Sequence, residues 1–172
     1  MNKIILIVVI IPIVLAAIFM WQNEDILKLA NSYLNNNNTD NNTTISKNKI
    51  LNLSNQGLKS IPSYVFNQTS LEELNVSNNY LTGAIQAEIR HLSNLKILNA
   101  SNNLMTGVPA EIGQLQNLEI LDLSNNQLTG LPNELGNLKK LKIFNLSGNQ
   151  YSQQDLDYIR NKLPSTVNII IN

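Results

Sequence analysis

The sequence predicts an α/β solenoid: stacked repeats with a curved parallel β-sheet on one face and a convex layer of turns on the other, preceded by an N-terminal transmembrane helix. Three observations predict it. An unbroken apolar run extends from Ile4 to Trp21, an asparagine-rich stretch follows at 35–42, and Leu71, Leu95, Leu118 and Leu141 open similar blocks at steps of 24, 23 and 23 residues. The chain has 172 residues, 43% of them hydrophobic and 14% charged, which suits one modest domain with an appendage.

Composition narrows the function. Lys and Arg number 12, as do Asp and Glu, so the chain lacks the basic excess that neutralises phosphates, and nucleic acid is not an expected partner. No cysteine is present, which excludes disulfides, thiolate metal sites and cysteine nucleophiles. The single histidine, His91, leaves no Ser-His-Asp grouping, metal-ligand spacing or phosphate loop to assemble. The expectation is a non-enzymatic protein with no catalytic residues, no cofactor and no metal.

Residues 1–22 read as the anchor. Eighteen apolar residues at 1.5 Å each reach about 27 Å, close to a hydrocarbon core of roughly 30 Å. Pro12 is tolerated in a membrane helix, and Trp21 belongs at the interface. Lys3 on one side and Glu24 and Asp25 on the other place the short tail in the cytoplasm and the rest outside. The competing reading is a signal peptide cut after Val14-Leu15-Ala16, giving a secreted protein. Cutting there leaves Ala17 to Trp21 as a greasy new N-terminus, so the uncleaved single-pass anchor in the cell membrane is preferred.

Residues 23–47 read as a tether. Ile26, Leu27, Leu29, Ala30, Tyr33 and Leu34 allow a short helix with an apolar stripe, and the Asn-rich run after it has too little apolar surface to offset the entropy of ordering. Sequons occur at Asn37, Asn41, Asn42, Asn52, Asn67, Asn75, Asn99 and Asn145, as chance supplies in a chain rich in Asn and Ser.

Residues 48–151 read as five repeats. The four full blocks carry Leu71, Leu74, Val76, Asn79, Leu81; Leu95, Leu98, Ala100, Asn103, Met105; Leu118, Leu121, Leu123, Asn126, Leu128; and Leu141, Phe144, Leu146, Asn149, Tyr151. A degenerate copy with Leu51, Leu53, Gln56 and Leu58 precedes them. Alternation around the fourth and sixth positions is the period of a short strand with one buried face, and equal block lengths let strands stack in parallel about 4.8 Å apart. An inward Asn side chain can satisfy backbone groups of the turn, so Asn79, Asn103, Asn126 and Asn149 are assigned to structure, with Gln56 a weaker substitute. This LxxLxLxxNxL pattern over 48–172 resembles the leucine-rich-repeat family, and the resemblance implies a right-handed β-α superhelix and partner binding without an attached activity.

On the far side, Leu81-Thr82-Gly83, Met105-Thr106-Gly107 and Leu128-Thr129-Gly130 lead to Pro109 and Pro132, with Gln86 in the proline's place and an extra Ala84 in the first of these. The apolar pairs Ile89/Leu92, Ile112/Leu115 and Leu135/Leu138 follow, and a short helical turn or irregular arc is expected there. This signature is similar to repeats of plant surface receptors and their bacterial, membrane-anchored counterparts. With no kinase region and no cysteine-bounded caps, a bacterial origin is favoured. Residues 152–172 read as the C-terminal cap: Ser152 and Asp155 fit a capping box, Leu156, Ile159 and Leu163 form a stripe ended by Pro164, and Val167 to Ile171 make a last strand.

The candidate partner-binding columns lie between the buried positions and should line the concave face. The third position gives Ile50, Glu73, Ile97, Ile120 and Ile143; the fifth gives Asn52, Asn75, Asn99, Asp122 and Asn145; the seventh is serine from Ser54 to Ser147. An isoleucine stripe beside a row of amides fits a protein ligand, with a glycan as second choice. The same residues are also what a strand and a repeat consensus supply. The second position alternates Lys49, Glu72, Lys96, Glu119 and Lys142, which sets opposite charges on neighbouring strands and serves register and solubility. The expected function is therefore a protein-interaction module displayed outside the membrane. The alternative is a secreted or envelope-linked structural repeat protein, or a receptor-like fragment that works with a membrane partner.

Overall fold

The computed structural model describes residues 49–171. The anchor at 4–21 and the tether lie outside the described residues, and among those described no helix is long and apolar enough to cross a membrane. Six short strands, β1 (Ile50–Asn52), β2 (Glu73–Asn75), β4 (Ile97–Asn99), β6 (Ile120–Asp122), β7 (Ile143–Asn145) and β8 (Asn168–Ile170), form one parallel sheet in that order. A second, two-stranded parallel sheet joins β3 (Thr82–Gly83) to β5 (Leu104–Met105).

The register is unbroken. Ile50, Glu73, Ile97, Ile120, Ile143 and Asn168 lie side by side, and one residue further on so do Leu51, Leu74, Leu98, Leu121, Phe144 and Ile169. Because successive side chains point to opposite faces, the second row enters the core, where Leu74, Leu98, Leu121 and Phe144 are wholly buried. The block-opening leucines and the convex pairs close the same core from the other sides, Leu95, Leu118, Ile89, Leu92, Ile112, Leu115, Leu135 and Leu138 all being fully buried. Each such side chain contributes about 1.5–3 kcal/mol on burial, an effect no single block could collect alone.

The convex layer is made of 3-10 turns, Ser63–Asn67, Ala87–His91, Ala110–Gln114 and Asn133–Asn137, the short helical turns expected there, and among the described residues an α-helix proper appears only in the C-terminal cap. Blocks this short leave five residues for the arc, and a 3-10 turn covers more length per residue than an α-helix. Pro62, Pro109 and Pro132 precede the turns with φ of −59°, −74° and −70°, the range the pyrrolidine ring imposes. Gln86 adopts φ −62° without that ring, and its Nε2 instead donates to the Ile61 carbonyl of the preceding copy at 2.6 Å. In the later turns glycine lets the coils close up: a Cβ on Gly113 would strike the Glu134 carbonyl, and one on Gly136 would sit 2.7 Å from Lys162 Cβ.

The cap begins at Ser152, whose Oγ accepts from the Asp155 N–H at 3.3 Å, and continues as α1 (Gln153–Arg160). The reciprocal half of the expected capping box is not made; Asp155 Oδ2 accepts from the Leu131 N–H at 3.1 Å and ties the cap to the fourth copy. Leu156, Ile159 and Leu163 are buried, and α1 ends at Arg160, ahead of Pro164.

Candidate interaction face

Interior asparagines close each turn. Asn103 Nδ2 donates to the carbonyls of Val76, Ala100 and Ser101, each at 3.1 Å, while its Oδ1 accepts from the Leu81 N–H at 3.0 Å. Asn126 repeats this one copy on, donating to Ala100, Leu123 and Ser124 and accepting from Met105 N–H at 3.0 Å. Asn149 donates to Leu123, Leu146 and Ser147 and accepts from Leu128 N–H at 3.1 Å. Asn79 serves the first copy, accepting from the N–H groups of Gln56 and Leu58 at 2.9 and 3.0 Å and donating to Leu53, Val76 and Ser77. Gln56 itself is exposed, so Asn79 from the next copy does the work in that first turn. These side chains fill hydrogen-bonding needs of buried backbone and are closed to a ligand.

The outer columns behave differently. Oδ1 of Asn99 accepts from both the N–H and Oγ of Ser101 at 3.0 and 2.7 Å. Asp122 does the same with Ser124 at 2.9 and 2.6 Å, and Asn145 with Ser147 at 3.1 and 2.9 Å. Asn52 and Ser54 pair likewise, and Asn75 takes the Ser77 N–H. Each asparagine thus builds a local turn with its carbonyl oxygen and keeps its NH₂ group out of that turn, while Asp122 builds the same turn with a carboxylate oxygen. Asn145 spends its own on Asp122 Oδ2 at 3.3 Å. The serine column does not line the surface in the middle copies, because the hydroxyls of Ser101 and Ser124 fold back to these oxygens and Ser77, Ser101 and Ser124 are buried.

The isoleucine stripe is continuous from β4 through β6 to β7, with Glu73 and Ile50 beyond it on one side and Asn168 on the other. Its members shield one another: Ile97 and Ile143 are only 8% and 7% exposed although they lie outside the core cluster, whereas Ile50, Ile120 and Glu73 are half-buried. The face is therefore a low apolar ridge, with Ile120 its most reachable central point.

Along one margin runs the charge ladder. Glu72 lies between Lys49 and Lys96, the latter at 2.6 Å, and Glu119 pairs with Lys142 at 2.6 Å. Hydrogen bonds from Lys49, then Lys96, hold the Glu72 carboxyl below its ordinary value, and the bond to Glu72 raises the Lys96 ammonium above its own. These are exposed pairs that fix neighbouring strands in register.

A column the sequence reading passed over sets the turn geometry. Asn55, Asn78, Asn102 and Asn125 have φ between 51° and 58°, and Gly148 takes φ 69° at the same place in the last copy. Asn and Gly are the residues that enter this left-handed region at least cost, and their exchange at one repeat position was the available signal. His91 lies exposed at the end of the second convex turn, across the fold from Asp122 on the sheet face.

The family model described as "Leucine rich repeat" matches residues 49–105 and 94–150, more than half of the chain. None of the curated proteins matches the sequence. Among solved structures, a leucine-rich-repeat protein of Leptospira interrogans is 39% identical with a TM-score of 0.60, over 64% of this chain and 28% of that one. The leucine-rich-repeat ectodomain of the receptor kinase SOBIR1 from Arabidopsis thaliana is 26% identical with a TM-score of 0.58, over 71% of this chain and 67% of that one. A plant peptide hormone receptor, RGFR1, solved in complex with RGF2, is 28% identical with a TM-score of 0.55, over 64% and 22%. The chain thus spans a little over a quarter of the Leptospira protein's length and about two thirds of the SOBIR1 ectodomain's. With the block pattern, the parallel register and the buried asparagine column all in place, the family match makes the conclusion plain: this chain belongs to the leucine-rich-repeat family.

Proposed function

We propose that the chain is a non-enzymatic protein-interaction module that engages an extended protein segment on its sheet face and is held at the outer side of a membrane by the apolar run at 4–21. The observation that carries the reading is the in-register ridge of Ile97, Ile120 and Ile143, flanked on the same face by Asn99, Asp122 and Asn145, in a row that Asn75 and Asn52 extend beside Glu73 and Ile50; the oxygens of Asn52, Asn75 and Asn99 are occupied by local turns and their NH₂ groups stay available for a ligand carbonyl. An apolar strip with donors alongside suits a peptide backbone with aliphatic side chains. The complex of the similar hormone receptor with RGF2 supports a protein ligand.

The test is affinity capture from cell-envelope extracts with the full chain and with Ile120→Lys. Ile120 is half-buried and outside the core, so the variant should keep the parent's circular dichroism spectrum and melting curve. Loss of the specifically retained protein at unchanged fold supports recognition by this face; an identical capture profile rejects it. Anchoring is checked by fractionation, where a species released from the membrane with an N-terminus near Ala17 replaces the single-pass reading with secretion.

A further inference from the structure

The two ends of the six-stranded sheet are finished differently. At the C-terminal end β8 is the last strand, and among the described residues no strand pairs with its outer edge. From Val167 to Ile171 it carries no charge and no proline, the features by which exposed edges are ordinarily kept from pairing. Its core-side residues are incompletely covered: Val167 and Ile169 are half-buried, and Ile171, on the same face by alternation, is 39% exposed. Beside them opens a cavity of about 280 Å³ with a mixed lining, where Val167 and Ile169 meet Leu163, Pro164, Ser165 and Arg160. A strand edge without charge or proline and incompletely covered aliphatic side chains thus coincide at one end of the stack.

We propose that this end is a self-association surface, on which β8 pairs antiparallel with β8 of a second copy of this chain across a two-fold axis. Centred on Ile169, the pairing sets Ile169 against its counterpart and Val167 against Ile171 on the core side, with Asn168 opposite Ile170 on the sheet face. Every core-side position then meets an apolar partner, and an uncharged strand meets itself without like-charge contact. The other arrangement open to a second copy, head to tail, fits worse. β8 would take β1 as its next neighbour in the same register, bringing Lys49 alongside Val167, the residue that follows Lys142 in the charge ladder. That sets Val167 between two lysines, Lys142 and Lys49, and breaks the alternation of sign that the ladder keeps elsewhere.

The absence of cysteine makes the test clean. Full chain carrying Ile169→Cys, purified in detergent and oxidised mildly with copper-phenanthroline, is expected to run mainly as a disulfide-linked dimer on a non-reducing gel. Adding Ile171→Lys, an exposed position, should cut the linked fraction at least tenfold at the same protein concentration. Asn168→Cys mixed with Ile170→Cys gives an independent readout from the sheet face and should yield the mixed dimer above either homodimer. Asn52→Cys on the opposite edge should stay monomeric. The proposal is overturned if Ile169→Cys links no better than Asn52→Cys, if Ile171→Lys leaves the yield unchanged, or if Asn52→Cys and Ile169→Cys link preferentially to each other, which is the head-to-tail contact.

Discussion

Two asparagine columns run the length of this stack four residues apart, and they put the same side chain to opposite uses. Asn79, Asn103 and Asn126 are 6%, 6% and 8% exposed and commit both ends of the amide to backbone groups, divided between their own copy and the one before. Asn75 and Asn99 remain half-exposed and commit only the oxygen, to a serine two residues on. The comparison teaches that burial decides the role of a repeated amide: inside, it satisfies groups that water cannot reach, and outside, it shapes a turn and keeps donors for a partner.

The distinction is broken most directly by truncating one residue from each column. Asn103→Ala leaves the Leu81 N–H and three carbonyl bonds without their buried partner and should cost about 3–5 kcal/mol, read as a lower urea midpoint. Asn99→Ala, whose serine partner can turn to water, should cost about 1 kcal/mol or less. Equal losses would remove the difference between the columns. Between these two stands Asn102, held at φ 55°. Asn102→Ala should cost about 1–2 kcal/mol from left-handed strain, while Asn102→Gly should stay within about 0.5 kcal/mol in the same unfolding experiment. A third type of side chain, the charged rung, should show the smallest effect and a pH dependence that neither amide column has. Glu72 is held below its ordinary value of 4.5, so its contribution is present above that value and fades as pH falls through the lowered one. Lys96 is raised above 10.5, so its share is present below that and is lost only as pH climbs through the raised value. The difference in urea midpoint between the parent and Glu72→Gln should therefore shrink in acid, and a gap that widens below pH 4.5 would contradict the assignment.

The stack itself was legible because hydrophobic spacing states it directly: leucines at fixed intervals named the core row that Leu74, Leu98 and Leu121 occupy. What escaped depends on neighbours no linear pattern displays. Ile97 and Ile143 are nearly covered because strands on either side shield them, a cross-strand effect invisible along one strand. The serines turned inward because a hydroxyl beside an Asn oxygen prefers it to water. The convex arcs are the short helical turns expected there, whereas Asp155 left its own helix cap for the Leu131 N–H because the fourth copy brings that donor within reach. Gly113 and Gly136 fix how near successive turns come, through contacts with Glu134 and Lys162 that only the assembled coils create. The candidate face was therefore visible as columns of letters, while the reach of each side chain had to be read from its surroundings.

The first four copies also borrow their lock from the one after. Asn103 closes the turn ending at Leu81, Asn126 the one ending at Met105, and Asn149 the one ending at Leu128. A gene that duplicates or deletes one whole unit upstream of the last adds or removes one lock together with one turn that needs it. Unequal recombination can therefore lengthen or shorten the protein in single-unit steps, whereas a break inside a unit leaves a turn open.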